Sequence, residues 1–202
     1  MTDRTSAIKN FQDASTKRLL EVMQLFHDTH LITREEATSV FNYVFKWAAR
    51  KGHLPVFQWL HATYQITREE VITLDNWIFR EAAEKGHLPV LQWLHATYQI
   101  TREEATAKDN LVFRWAARKG HLPVLQWLHA TYQITRKEAT TDNNGAFREA
   151  AKNDHLPVLQ WLHATYQITR EEATTQENYA FREASEKGHL PVLQWLHATY
   201  PC

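Results

Sequence analysis

Twelve histidines and a run of adjacent carboxylates are the residues of this 202-residue chain whose types could do chemistry. Ten of the imidazoles fall into two columns. One is His53, His87, His121, His155 and His189; the other is His61, His95, His129, His163 and His197. Within a pair the two are eight residues apart, roughly 12 Å along a helix. Equivalent members of neighbouring copies would sit about one helix-packing distance apart, roughly 8–10 Å. Metal–nitrogen bonds are only about 2 Å long, so neither spacing builds a metal site, and backbone hydrogen bonding at an inter-helix turn explains the first column better. The second reads as a partly exposed ladder. The carboxylate pairs Glu35-Glu36, Glu69-Glu70, Glu103-Glu104 and Glu171-Glu172 are broken only by Lys137-Glu138. Glycoside hydrolysis needs two carboxyls facing each other across a substrate, and neighbours at a helix start point apart. Serines are scattered, and no phosphate-loop, dinucleotide or H-E-x-x-H pattern occurs. The expectation is a protein without catalysis, cofactor or metal.

Both columns belong to a repeat. The string LPV-x-QWLHATY begins at Leu54, Leu88, Leu122, Leu156 and Leu190, with a constant period of thirty-four residues. The same period relates Phe11, Phe45, Phe79, Phe113, Phe147 and Phe181, and Asn42, Asn76, Asn110, Asn144 and Asn178. A degenerate first copy starts at Phe11, and the copy starting at Phe181 is cut off after its second helix. The expected organisation is a polar extension, 1–10, and one domain of about six copies, 11–202.

Each copy predicts three helices. In the copy around Phe79, Asn76 stands where a helix cap belongs, and Phe79, Ala82 and Ala83 make a one-sided apolar stripe. Gly86 can end this helix in the left-handed conformation. Pro89 fits the first turn of the next helix, where its missing N–H is harmless. Leu88, Val90, Leu91, Trp93, Leu94 and Tyr98 cover a wide face of that helix, which calls for neighbours on both sides. Thr101 and Glu104 have the spacing of a capping box and announce a short third helix. No stretch alternates as a half-buried strand does. A helix pair of this size cannot bury its own apolar face, but stacked identical pairs can; the Trp59, Trp93, Trp127, Trp161 and Trp195 column is expected in that packing. The fold class is all-α, an α-solenoid.

Ala82 to His95, Ala-Ala-Glu-Lys-Gly-His-Leu-Pro-Val-Leu-Gln-Trp-Leu-His, resembles the two-helix core of ankyrin repeats. The likeness extends over about 11–202 and looks most like divergent arrays of the A-A-x-K-G-H-L-P-V-L-Q-W-L-H type found in large DNA viruses of amoebae. Near identity of the copies also fits a consensus-style engineered array or recent tandem duplication. The family's T-P-L-H opening is absent, with Trp77-Ile-Phe-Arg80 in its place. The segment that makes the family's β-hairpin is replaced by Tyr98 to Thr106, the short helix. Tetratricopeptide arrays share the period, but they place glycine inside the first helix and proline after the second, whereas Gly86 and Pro89 bracket the turn.

Columns that change between copies are the candidates for binding. On the first helix one reads Tyr43, Trp77, Leu111, Gly145, Tyr179; the next reads Trp47, Glu81, Trp115, Glu149, Glu183; a third reads Arg50, Glu84, Arg118, Lys152, Glu186. Spacings of four and three place them on one stripe. The resemblance implies that this helix lines a concave face binding a protein partner; the alternatives are neutral variation, or a structural array stacking end to end. Lys+Arg and Asp+Glu are both 23, so no bulk charge draws nucleic acid or anionic lipid. No signal peptide or membrane span is readable, and the single cysteine, Cys202, points to a reducing compartment, cytoplasm or nucleus. The last copy keeps its interior sequence, so Val192, Leu193, Trp195 and Leu196 are expected to offer apolar surface, with homodimerisation through that end as a corollary.

Overall fold

The computed structural model describes residues 19–30, 34–72 and 76–201. The extension 1–10, the start of the first copy at Phe11, and Cys202 lie outside them. Among the described residues every regular element is a helix. Second helices run Leu19–His30, Leu54–Tyr64, Leu88–Tyr98, Leu122–Tyr132, Leu156–Tyr166 and Leu190–Thr199. First helices run Trp77–Glu84, Ala107–Arg118, Thr141–Lys152 and Thr175–Glu186, preceded by the short helices Arg68–Ile72, Arg102–Ala105, Arg136–Ala139 and Arg170–Ala173. At the earliest junction short and first helix are one continuous element, Arg34–Lys51.

The local signals act as their chemistry requires. Gly86 sits at φ 78° and ends the first helix; Asp154 takes the same left-handed place at φ 62°, a region aspartate tolerates better than most residues. Thr101 accepts from the Glu104 N–H while the Glu104 carboxylate accepts from the Thr101 N–H, and Thr135 with Glu138 and Thr169 with Glu172 repeat the exchange. The asparagines do not cap. Asn76 is itself left-handed at φ 54° and makes no side-chain cap bond. Asn110 closes a run of three left-handed residues, Lys108 to Asn110, and its amide reaches the Glu138 carbonyl of the following repeat at 3.4 Å.

Burial follows the predicted stripe. Phe79, Ala82 and Ala83 are fully buried, as are Phe113, Ala116 and Ala117 one copy later. Alanines let neighbouring first helices approach closely, while Leu, Trp, His and Tyr hold second helices apart. A stack with small side chains along one side and bulky ones along the other bends toward the small side, so first helices line the inner curve. The tryptophan column is half-buried between repeats: Trp93 lies 5.8 Å from the Phe57 ring and 5.9 Å from His61.

Both histidine columns join repeats. Those of the first bond backbone, but of the preceding repeat: His121 Nε2–H donates to the Glu84 carbonyl at 2.9 Å, and His87, His155 and His189 do likewise to Arg50, Arg118 and Lys152. The second column is partly exposed, as expected, and His197 is exposed, but the column is also bonded across repeats. The Nδ1 atoms of His61, His95, His129 and His163 lie 2.8–3.1 Å from the hydroxyls of Tyr98, Tyr132, Tyr166 and Tyr200, each one repeat on. Burial pushes these phenols above their ordinary range, with a glutamate of the preceding repeat adding to it. The hydroxyls therefore stay protonated at any physiological pH. For Tyr64, burial and Asp28 push the value up to about 12.

A third joint comes from the short helices. Arg68 donates from Nε to the Tyr98 carbonyl at 3.0 Å and from its terminal nitrogen to both Glu104 oxygens at 2.7 and 2.8 Å. Arg34, Arg102 and Arg136 make the same bridge to Glu70, Glu138 and Glu172. The second glutamate of each pair thus caps its own helix and ties it to the repeat before. Burial works to raise the Glu138 carboxyl, but Thr135 and Arg102 outweigh it and hold it below the usual value.

Candidate partner-binding face

The first-helix stripe is set by the Phe/Ala stripe behind it, which is buried from Phe45 to Ala151, partly so at Phe181, and fixes the helix rotation. What faces the inner curve is partly spoken for. Glu81 is only 4% exposed and accepts from Arg50 Nε at 2.7 Å. Arg118 stands 3.6 Å from Glu149, and Lys152 stands 3.5 Å from Glu183. The two changing columns are therefore coupled on the diagonal: a cation in one copy meets a carboxylate in the next. Glu84 turns to lysines instead, 3.5 Å from Lys85 and 3.7 Å from Lys119. Leu111 is half-buried and Glu186 exposed.

Aromatic residues make up the rest. Tyr43 is 54% exposed. Trp47 is half-buried and stacks on His53, centroids 4.9 Å apart and planes 7° apart, so it also supports the fold. Tyr43, Trp47 and Trp77, with Lys46 and Arg50, line a groove of about 220 Å³. Tyr179, at the other end, is surrounded by Arg148, Lys152 and Arg182, all within 5.6 Å of its ring centre, and its hydroxyl accepts from Lys152 at 3.0 Å.

One column of this face escaped the reading of the sequence. A cation follows the repeat phenylalanine in every copy from Phe45 onward: Lys46, Arg80, Arg114, Arg148 and Arg182. Its constancy hides it, because a binding face announces itself in columns that change between copies. Lys46 lies over the Trp77 ring at 5.1 Å and Arg80 over Trp115 at 5.9 Å. Arg114 pairs with Asp142, and Arg148 bonds Gln176 and the Asn143 and Asp142 carbonyls.

Histidine, cysteine and carboxylate side chains form no group of three able to hold a metal among the described residues. No helix among them is long and apolar enough to cross a membrane. At the last repeat, Val192 and Leu196 are fully buried, contrary to expectation, and Trp195 is half-buried against Phe147 of the preceding repeat. The open surface comes from Leu190, 64% exposed, with Phe181, Leu193 and His197 around a hollow of about 700 Å³.

The fold and this face define an all-helical solenoid whose repeats share one core and present an aromatic, charge-laced inner surface. Two overlapping stretches, residues 79–129 and 113–163, match the family described as ankyrin repeats (many copies). Their starts differ by one period of the chain, and residues 79–163 carry ankyrin repeats. No curated protein matches the sequence.

Proposed function

We propose that the chain is a binding scaffold, not an enzyme, that takes a protein partner along the first-helix stripe. Ankyrin repeats are protein-interaction modules in general. The observation that favours this face is the groove between Tyr43, Trp47 and Trp77, since aromatic residues around a small pocket are what binding hot spots use. The partner contacts would extend over Arg50, Glu84, Leu111, Trp115, Arg118, Lys152, Tyr179 and Glu186. Glu81, Glu149 and Glu183 would serve by holding Arg50, Arg118 and Lys152 in place. Capture of partners by the intact chain, compared with Tyr43→Ala and Trp77→Ala, tests it. A partner held equally by all three chains overturns the reading.

A second reading rests on the exposed Leu190 and the hollow beside Phe181: two chains associate through that face as a homodimer. Light scattering under reducing conditions tests this one, and a monomer at high micromolar concentration rejects it.

A further inference from the structure

The constant cation column is not treated alike along its length. From Arg114 onward each member has oxygen partners: Asp142 for Arg114, Gln176 and two carbonyls for Arg148, and the Glu177 carbonyl for Arg182. Lys46 and Arg80 have none among the described residues; each has only a tryptophan face beneath it. The reason is legible for Arg80. Asp142 and Gln176 stand 28 residues after their arginines. At the same distance after Arg80 comes Lys108, a cation. The Nε atoms of Arg80 and Arg114 are both buried with no hydrogen-bond acceptor, but only Arg114 has an anionic partner at its terminal nitrogens. Buried donors nearly always have an acceptor, and an aromatic face attracts a cation without neutralising it.

Lys46 lines the groove formed by Tyr43, Trp47 and Trp77, and Arg80 lies one repeat further along the same face, over Trp115. From this juxtaposition we infer that the early half of the face receives an acidic polypeptide segment. One apolar side chain of the segment enters the groove, and flanking aspartates or glutamates meet Lys46 and Arg80. The inference rests on the stripe reading above and names its partner's chemistry. A nucleic acid fits less well: phosphates come at regular intervals and want an unbroken cationic track, whereas Glu81 and Glu84 interrupt this one.

A random-peptide library selected on the full chain is the test. Recovered peptides should be richer in aspartate and glutamate beside an aromatic or long aliphatic residue than the starting library. Lys46→Gln and Arg80→Gln should each weaken a recovered peptide about tenfold, a change of about 1.4 kcal/mol, with melting temperature checked in parallel. Lys137→Gln, at an exposed lysine of a short helix outside the stripe, should change it less than about threefold. Recovery of peptides without acidic enrichment overturns the inference. So does equal binding by the Lys46 and Arg80 variants, or tighter binding of a labelled oligothymidylate. If such non-acidic peptides are still lost on Trp77→Ala, the stripe reading survives alone; if no stripe substitution matters, or nothing is recovered, both fall.

Discussion

The outer and inner sides of this solenoid are built from the same repeat on opposite terms. On the outer side the eleven residues LPVLQWLHATY recur almost unchanged, and each copy meets the next through the same histidine, tyrosine and arginine bonds. On the inner side neighbours must match only locally, as Arg50 with Glu81 or Lys152 with Glu183. Sameness is needed where a bond must close at every joint. Where a charge need only find its opposite one helix away, pairs can swap, and aromatic residues can enter without cost to the stack. The difference separates what holds the protein together from what it can show to a partner.

The sharpest break of that comparison is to empty the layer both sides share. Phe113→Ala should cost about 3–5 kcal/mol by cavity formation, read from denaturant unfolding, while Tyr43→Ala should stay within about 0.5 kcal/mol. Next comes Gly86→Ala. An added Cβ would lie 2.6 Å from Nδ1 of His121, at φ 78°. The left-handed penalty of about 1–2 kcal/mol should add to about 1 kcal/mol for the lost His121 bond. Gly188, with open space around it, should show only the first part when changed to alanine. Trp47→Ala should cost about 0.5–1.5 kcal/mol through its stacking on His53, because this inner residue also belongs to the support. Tyr132→Phe, on the outer side, should cost about 0.5–1.5 kcal/mol by removing the hydroxyl bonded to His95.

The smallest effect expected is that of pH. Burial holds the His121 imidazole below its ordinary 6.5, against the pull of the Glu84 carbonyl, with His155, His87 and Lys119 adding to the depression. The unfolded chain therefore takes up this proton first as pH falls, and stability should begin to drop below about pH 6.5. A further loss should appear below about pH 4.5, where the depressed Glu138 carboxylate is protonated in the unfolded chain before the folded one. A melting temperature that is flat from pH 7.5 to 4 would contradict both.

What the sequence disclosed depended on how far a signal reaches. Thr101 with Glu104 and the left-handed Gly86 are events inside one turn, and residue type decides them. The Phe79, Ala82, Ala83 stripe is likewise legible because helical spacing leaves one buried face. The joints were not: Arg68 finds Glu104 at a separation of 36 residues, and His61 finds Tyr98 at 37. Reading columns of identical residues shows that they repeat, not which column meets which. The left-handed run at Lys108 was illegible for another reason. Lysine there, and glutamine at 176, have no preference for that region, so residue type gives no sign of it.

The arginine bridge makes the chain's length a quantised variable. Arg68, Arg102 and Arg136 each reach a carboxylate 36 residues away. That carboxylate is copied once per period, so removing one whole period hands an arginine the next equivalent partner. Excision of residues 113–146, joining Val112 to Phe147, would let Arg102 close on Glu172. A cut that is not a whole number of periods would misalign every joint that spans it. Such a chain can be shortened or extended in steps of one period without new compensating changes, so its copies can be gained and lost by recombination in register while single-residue insertions are purged.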